Sequence, residues 1–306
     1  MTQLDAAVSI VVLGSVDEVV REAVLALEAD ARAADGAEPL NDQVRLDLQY
    51  ADTSTVHLVA RRSTDGIIGY AHLRHTEVGI SSAHLVVAPA HRRQGVGKAL
   101  VERLIRESGP GGLRVWAHGD EAAARFLSGR LGFTRVRELC QLQRSLAEPL
   151  PDPSYPDDVG LRTFELGRDE AAWLDVNARA FAHHPEQGDT DRDDLEQRMS
   201  QPWFDPAGFF LAERGGRLLG FHWTKVHSLP DEGTSGIGEV YVVGVDPAAQ
   251  GLGLGKALTL TGLHYLRALG LDSCILYVER DNASAVAVYE KLGFTTSSVD
   301  VLYERP

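Results

Sequence analysis

At 306 residues and 44% hydrophobic, the chain carries enough apolar material for two cores of ordinary domain size, and its two cysteines are too few for a disulfide framework. A formal charge of −14 argues against nucleic acid as the main partner and favours a cationic substrate, while local Lys and Arg remain to receive an anionic cofactor. No uninterrupted apolar run approaches the roughly 20 residues of a membrane span, and the N-terminus lacks a basic stretch with an apolar core and cleavage site, so a soluble, cytoplasmic monomer without membrane contact is expected.

Residues 16–34 are Ala-rich, with Val20, Val24 and Leu27 at helical spacing, and predict an amphipathic helix that Asp35-Gly36 through Pro39 ends. Asp42 to Leu48 starts another. Val56–Ala60 and Ile67–Leu73 read as strands around the turn Asp65-Gly66. Leu85-Val86-Val87-Ala88-Pro89 is a strand running into the glycine loop Arg92-Arg93-Gln94-Gly95-Val96-Gly97-Lys98, after which Val101, Leu104 and Ile105 continue as a helix. Strand 113–117, helix 121–128 and strand 136–143 follow. Pro149, Pro151, Pro153 and Pro156 fall within eight residues and support neither a ladder nor a helix interior, so residues 149–157 are expected to link a first domain, 1–148, to a second, 158–306.

The order then restarts. Residues 168–181 and 192–200 predict helices, and 209–212 with 217–226 an antiparallel pair around Gly215-Gly216. A β-branched run from Val240 to Val245 reads as a buried strand, Asp246-Pro247 ends it, and the loop Gln250-Gly251-Leu252-Gly253-Leu254-Gly255-Lys256 opens a helix containing Leu258, Tyr265 and Leu269. Strand 274–278, turn 280–282, helix 283–291 and strand 297–303 close the chain. Gly251, Gly253 and Gly255 permit positive φ and close backbone approach, so successive N–H groups can converge on a phosphate at the positive end of the helix.

The glycine loops lie 158 residues apart, and each half ends in Leu-Gly-Phe, at 131–133 and 292–294, so one fold is written twice. The spacing Gln250-x-x-Gly253-x-Gly255 after Val-Asp-Pro resembles the acetyl-coenzyme A motif of the GNAT N-acetyltransferases. That resemblance implies two tandem mixed α/β (α+β) domains, each a mostly antiparallel sheet flanked by helices. It also implies acetyl-CoA as cosubstrate, with no metal. The implied cofactor residues are Leu85, Val86, Val87 and 93–98 (Arg93, Gln94, Gly95, Val96, Gly97, Lys98) in the first half. In the second they are Val243, Gly244, Val245, 250–256 and the helix start Asn282, Ala283, Ser284, Ala285, Val286, Ala287. Lys98 and Lys256 can equally be solvated, and Asn282 can equally be an N-cap.

Aligning the halves on Pro89 and Pro247 sets Ser81 against Glu239, and aligning on Leu-Gly-Phe sets Ser128 against Tyr289. Acetyl transfer to an amine needs a base, because an α-amino group with a reference pKa of about 7.7–8.0 is mostly ammonium at neutral pH. Glu239 is the candidate base, directly or through one water, and Tyr289 the candidate proton donor to the leaving thiolate. A splay or bulge at Val243–Val245 would free N–H groups for the thioester oxygen. Otherwise Glu239 is a strand-end carboxylate and Tyr289 a packed aromatic. The first half, lacking both, is expected to be non-catalytic while still able to hold acetyl-CoA.

Beyond the superfamily motif, the chain resembles the mycothiol synthases, actinobacterial tandem-GNAT enzymes, through Phe181-Ala182-His183-His184-Pro185-Glu186-Gln187-Gly188, Trp203-Phe204-Asp205-Pro206, residues 219–227 and 238–249, and, in the first half, Asp42-Gln43-Val44 and Trp116-Ala117-His118-Gly119. The resemblance implies transfer of acetyl to the cysteinyl amine of cysteinyl-glucosaminyl-inositol. The acceptor would lie between the halves on Asp42, Glu186, Lys225, Glu239 and Tyr277, of which Glu186 and Lys225 alone would read as solvated charges. Asp42 stands where the family can carry Glu, and Gly251-Leu252 where it commonly has an Arg pair. Two rival readings remain: a tandem N-acetyltransferase for another small amine or a protein N-terminus, and a non-catalytic acetyl-CoA-binding protein.

Overall fold

The structure is a computed structural model, and it describes residues 8–62, 66–76, 79–184, 187–227 and 236–306. By its contacts the chain forms two compact units, one of residues 1–139 with 298–306 and one of residues 140–297.

The first unit contains β1 (Ser9–Leu13), α1 (Glu18–Asp35), α2 (Asp42–Gln49), β2 (Thr55–Arg62), β3 (Gly66–Arg74), β4 (Ser81–Val87), α3 (Val96–Glu107), β5 (Leu113–Ala117), α4 (Ala122–Leu131) and the start of β6 (Thr134–Ser145). Local chemistry sets the helix limits. Asp17 caps α1 by accepting from the Val20 N–H, Gly36 ends it at φ 69°, and Asn41 caps α2 by accepting from Val44 N–H. Strands β1 to β4 run antiparallel in chain order and β5 joins β4 in parallel. One face buries Leu58, Ile68, Leu73 and Leu113 beneath Val96, Leu100 and Leu104 of α3, and the other buries Val59, Tyr70 and Val86 beneath Val24, Leu27 and Val44 of α1 and α2.

The second unit repeats this order with β7 (Gly160–Thr163), α5 (Glu170–Ala180), α6 (Arg192–Met199), β8 (Phe209–Arg214), β9 (Arg217–His227), β10 (Ile237–Val245), α7 (Leu254–Ala268), β11 (Ser273–Glu279), α8 (Ala283–Lys291) and the start of β12 (Thr295–Arg305). An aromatic core of Phe164, Trp173, Phe209, Phe221 and Trp223 lies on one face of β8 and β9, with Phe209 stacked 4.6 Å from Trp223. Leu254 and Leu258 of α7 cover the other face. Both cysteines are free and buried.

The expected elements are present within a few residues of their sequence limits, and the mixed α/β arrangement is the expected one. The turn residue Asp65 lies outside the described residues. Strands β1 and β7 were not foreseen: each is four or five residues long and pairs with a single neighbour, so neither carries a two-sided apolar pattern. The end of the chain also departs from the sequence reading. Residues 298–306 belong to the first unit, where Val301–Arg305 of β12 pairs antiparallel with β5, whereas residues 140–145 of β6 belong to the second, next to β11. The proline-rich segment forms no helix or strand and lies on α7, Tyr155 Oη meeting Thr261 Oγ1 at 2.7 Å.

Two buried histidines make the fold acid-sensitive. His57, in contact with Tyr70 Oη at 2.7 Å, and His222, whose Nδ1 meets the Leu258 carbonyl at 2.7 Å, are both held at a pKa of about 4, chiefly by burial. Their folded pKa lies below the unfolded value of about 6.5, so the unfolded chain binds more protons between pH 6.5 and 4 and stability falls as pH falls through that window. The expected outcome is a calorimetric unfolding temperature that declines steadily from pH 6.5 to 4, with each histidine contributing at most about 3 kcal/mol. A flat unfolding temperature over that range would contradict it.

Candidate active site

The geometry of the second unit turns on how β10 leaves its neighbour. Its parallel register with β11 covers Ile237–Val240 against Ser273–Leu276, after which β10 runs on to Val245 and β11 to Glu279 without it. On the other side β10 stays paired with β9 as far as Val245, but the register slips between Val240 and Val242, making Tyr241 a bulge. The bulge therefore sits two residues earlier than Val243, and Val243, Gly244 and Val245 lie on the parted stretch beyond it. Gly244 fits there because its backbone is pressed against aromatic rings: a Cβ would come within 2.8 Å of Phe221.

This stretch leads into the glycine loop. Gly251 and Gly253 adopt φ 82° and 77°, and α7 starts at Leu254 with no side chain capping it among the described residues, which leaves its first N–H groups pointing out of the helix. Gly255 is different: it is inside α7 and has an ordinary helical φ, so its smallness serves the packing beside Val245 and not a turn. Gln250 and Lys256 are exposed, and Leu254 is buried. Asn282 is the N-cap of α8, accepting from the Ala285 N–H, and its Oδ1 also takes the Ser284 hydroxyl at 3.0 Å. Ala283 to Ala287 form the first turns of that helix.

Tyr289, further along α8, is 9% exposed and packs edge-on to Phe294. Burial, and then the neighbouring Cys274, push its phenol up to about 12, so it is a protonated group at neutral pH. Glu239 is 6% exposed on β10, directly across the ladder from Lys225 of β9. Its Oε2 lies 2.7 Å from His227 Nε2. The Lys225 ammonium is buried between rings, 5.0 Å from the Trp203 centroid and 5.4 Å from that of Tyr241. Tyr277 is half-exposed on β11 and its hydroxyl accepts from Gln141 Nε2 at 2.8 Å. Glu186 lies outside the described residues. The contact between His227 and Glu239 had no signal in the sequence, because two residues twelve apart meet only through the β9–β10 register.

The first unit shows what the same frame does with other side chains. Strands β4 and β5 part after Ala83 and Val115, and β4 keeps an unshifted register with β3. A cavity of about 1110 Å³ opens there. Leu85, Val86, Val87, Arg93, Gly95, Gly97 and Lys98 line it, together with Arg92, His118, Phe126 and Tyr303. Gln94 and Val96 are turned to structural work, the amide bonding Arg62 and the Ala90 carbonyl and the valine entering the core. Arg93 takes φ 62° where the second unit has Gly251, and Arg92 forms a two-pronged pair with Asp35 at 2.6 and 2.7 Å. His118 is held by Asp300 through Nδ1 at 2.8 Å. Asp42 accepts from Arg45 at 3.1 Å, in a cluster where Arg45 also binds Glu28 and Glu38.

Because β10 is bulged and β4 is not, the sequence pairing of Ser81 with Glu239 is off by one. Lys225 and Glu239 face each other on the rung that Arg74 and Ser82 occupy in the first unit, so Ser82 is the counterpart. Ser81 is buried and donates to the Ser108 carbonyl. Ser128, opposite Tyr289, donates back to its own helix at Ala124. The first unit thus has neither carboxylate nor phenol at these two positions.

Comparison with known proteins bears on the family and the fold. Residues 172–294 match the acetyltransferase (GNAT) family and residues 53–135 an acetyltransferase (GNAT) domain. A mycothiol acetyltransferase of Thermobispora bispora is 52% identical, covering 93% of this chain and 96% of its own, and one of Thermomonospora curvata is 54% identical, covering 92% and 93%. Among solved structures, a tandem GNAT protein from the clavulanic acid biosynthesis pathway matches 98% of both chains with a TM-score of 0.75 at 19% identity, a likeness of fold. The chain belongs to the mycothiol acetyltransferase family, with a GNAT domain in each half.

Proposed function

We propose that this chain is a mycothiol acetyltransferase, or mycothiol synthase: it transfers the acetyl group of acetyl-CoA to the cysteinyl amine of cysteinyl-glucosaminyl-inositol, giving mycothiol and free coenzyme A in the last step of mycothiol biosynthesis. The observation that carries this is identity above 50% to proteins of that name over more than nine-tenths of both chains. The geometry supplies a chemistry that fits.

In the second unit Val242–Val245 lie beyond the β11 register, and the open start of α7 provides N–H groups for pyrophosphate. Residues 243–245, 250–256 and 282–287 would hold the cosubstrate along that line. Glu239 takes the proton from the attacking ammonium, so that nitrogen can bond to the thioester carbon. Backbone N–H groups on the freed edge of β10 receive the charge that develops on the carbonyl oxygen. When the carbon–sulfur bond breaks, Tyr289 gives its proton to the thiolate, and the second proton released by the new amide nitrogen restores the phenol. Lys225 and Tyr277 flank Glu239 and suit the hydroxyl groups of the acceptor, whose cationic amine also suits a protein of net charge −14. The first unit is assigned a holding role: its cavity fits a cosubstrate of this kind, but Ser82 and Ser128 stand where a base and an acid would be needed.

Thiol release from acetyl-CoA should require the cysteinyl precursor and be absent with the same pseudodisaccharide lacking cysteine; equal rates with both would reject the acceptor assignment. Glu239→Gln is expected to lower kcat about a hundredfold or more, whereas Ser82→Ala leaves it nearly unchanged. Tyr289→Phe should cost about tenfold to a hundredfold. Since the phenol stays protonated up to about pH 12, the wild-type rate should show no loss attributable to Tyr289 between pH 8 and 10. An alkaline fall in that interval that vanishes in Tyr289→Phe would overturn the donor role.

A further inference from the structure

The Glu239 carboxylate has a second fixed neighbour besides Lys225. His227 is the last residue of β9, and its Nε2 meets Glu239 Oε2 at 2.7 Å. On an antiparallel ladder Lys225 is directly opposite Glu239, and His227 is the diagonal neighbour on the same face, within reach of a long side chain. Glu239 is nearly buried, its side chain 7% exposed, while that of His227 is 23% exposed and sits where β9 ends. A buried carboxylate needs hydrogen-bond donors, and one of them here comes from a ring anchored on the neighbouring strand.

We infer that His227 is a positioning residue for the acetyl-transfer base: it donates from Nε2 to one oxygen of Glu239, leaving the other oxygen aimed along β10 for the acceptor amine. The inference rests on the reading of Glu239 as the base and adds a residue to it. Three features support it. A carboxylate on a flexible glutamate chain rotates between two equivalent oxygens, and one strong donor removes that freedom. The donor is charge-assisted, which stabilises the unprotonated carboxylate that can accept a proton from the ammonium. The bulge at Tyr241 lies two residues beyond Glu239, so the carboxylate sits one rung before the last regular pair, Val240 with Thr224, and an error in its rotamer is carried to the nearby reacting centre.

The titratable groups facing Glu239 are Lys225 and His227 from β9 and Tyr277 from β11, with Cys274 of β11 also near. Cys274 is kept neutral, its thiol pushed well up by burial, so it does not compete for the proton. Lys225 is seated between Trp203 and Tyr241, its Nζ 5.0 and 5.4 Å from their ring centroids. That leaves the β9 histidine as the neighbour whose removal alters the hydrogen bonding of the carboxylate without changing the aromatic seat of the lysine.

The test compares His227→Ala, His227→Gln and Glu239→Gln in the thiol-release assay with saturating acetyl-CoA, across pH. His227→Ala is expected to lower kcat about tenfold, the worth of one charge-assisted hydrogen bond. It should leave the KM for acetyl-CoA nearly unchanged. Losing the donor disfavours the carboxylate, so the acid limb of kcat against pH should move to higher pH by about half a unit or more. His227→Gln, whose amide donates to the same oxygen, should recover most of the rate and return the limb toward its original position; added imidazole should partly rescue the alanine variant. If Glu239→Gln is inactive while both His227 variants, folded by circular dichroism, keep the wild-type rate and acid limb, the inference is wrong and the base assignment stands. If Glu239→Gln keeps the wild-type rate, the base assignment fails and the role of His227 fails with it.

Discussion

The second unit of this protein depends on one broken pairing. A parallel pair of strands normally satisfies both edges of each backbone, yet β10 gives up its partner β11 after Val240 while keeping β9 on its other side. The Tyr241 bulge and the parting of the strands occur at the same place, because an inserted residue rotates the following peptides out of the plane in which β11 would meet them. Val242–Val245 therefore lie beyond the β11 register while still held by β9, and an extended chain is the kind of ligand that can use such an edge, in the manner of an added strand.

Everything else is placed relative to that opening. The glycine loop follows directly from the end of β10, so the parted strand and the open start of α7 form one continuous segment. Asp246 stiffens the junction: it is 2% exposed, accepts from Arg179 and the Ala248 N–H at 2.9 Å and from Arg217 at 3.2 Å, and these donors outweigh its burial to hold its pKa below the usual carboxylate value. On the other side an aromatic wall of Trp203, Trp223 and Tyr241 encloses the Lys225 side chain opposite Glu239. In the first unit the same face carries His57, His72 and Asp47, with Asp47 bound by Arg74 at 2.6 Å. A buried polar cluster, in which Asp47 pairs with Arg74 and lies 2.8 Å from His72, stands where the second unit has Trp223 and Lys225.

The chain's duplication, its glycine loops, the mixed α/β order and the residue types at Glu239 and Tyr289 were all legible in the amino-acid sequence, because each is a local pattern: β-branched runs, glycines at positions of positive φ, a cap residue before an apolar stripe. Lys225 was legible only through resemblance, since a lone lysine on a strand reads as solvated until Trp203 and Tyr241 are seen to enclose it. Short edge strands such as β7 left no pattern to read.

Three things were decided by tertiary structure alone. The bulge at Tyr241 has no composition signature, and it shifts the counterpart of Glu239 from Ser81 to Ser82, since register is a property of two strands together. The contact of His227 with Glu239 exists only across that register. The last strand of the chain completes the first unit beside β5, although its position in the sequence assigns it to the second. Two copies of one fold present the same kind of sheet edge, so local pattern says that a strand will fill each edge, and only the folded chain determines which strand it is.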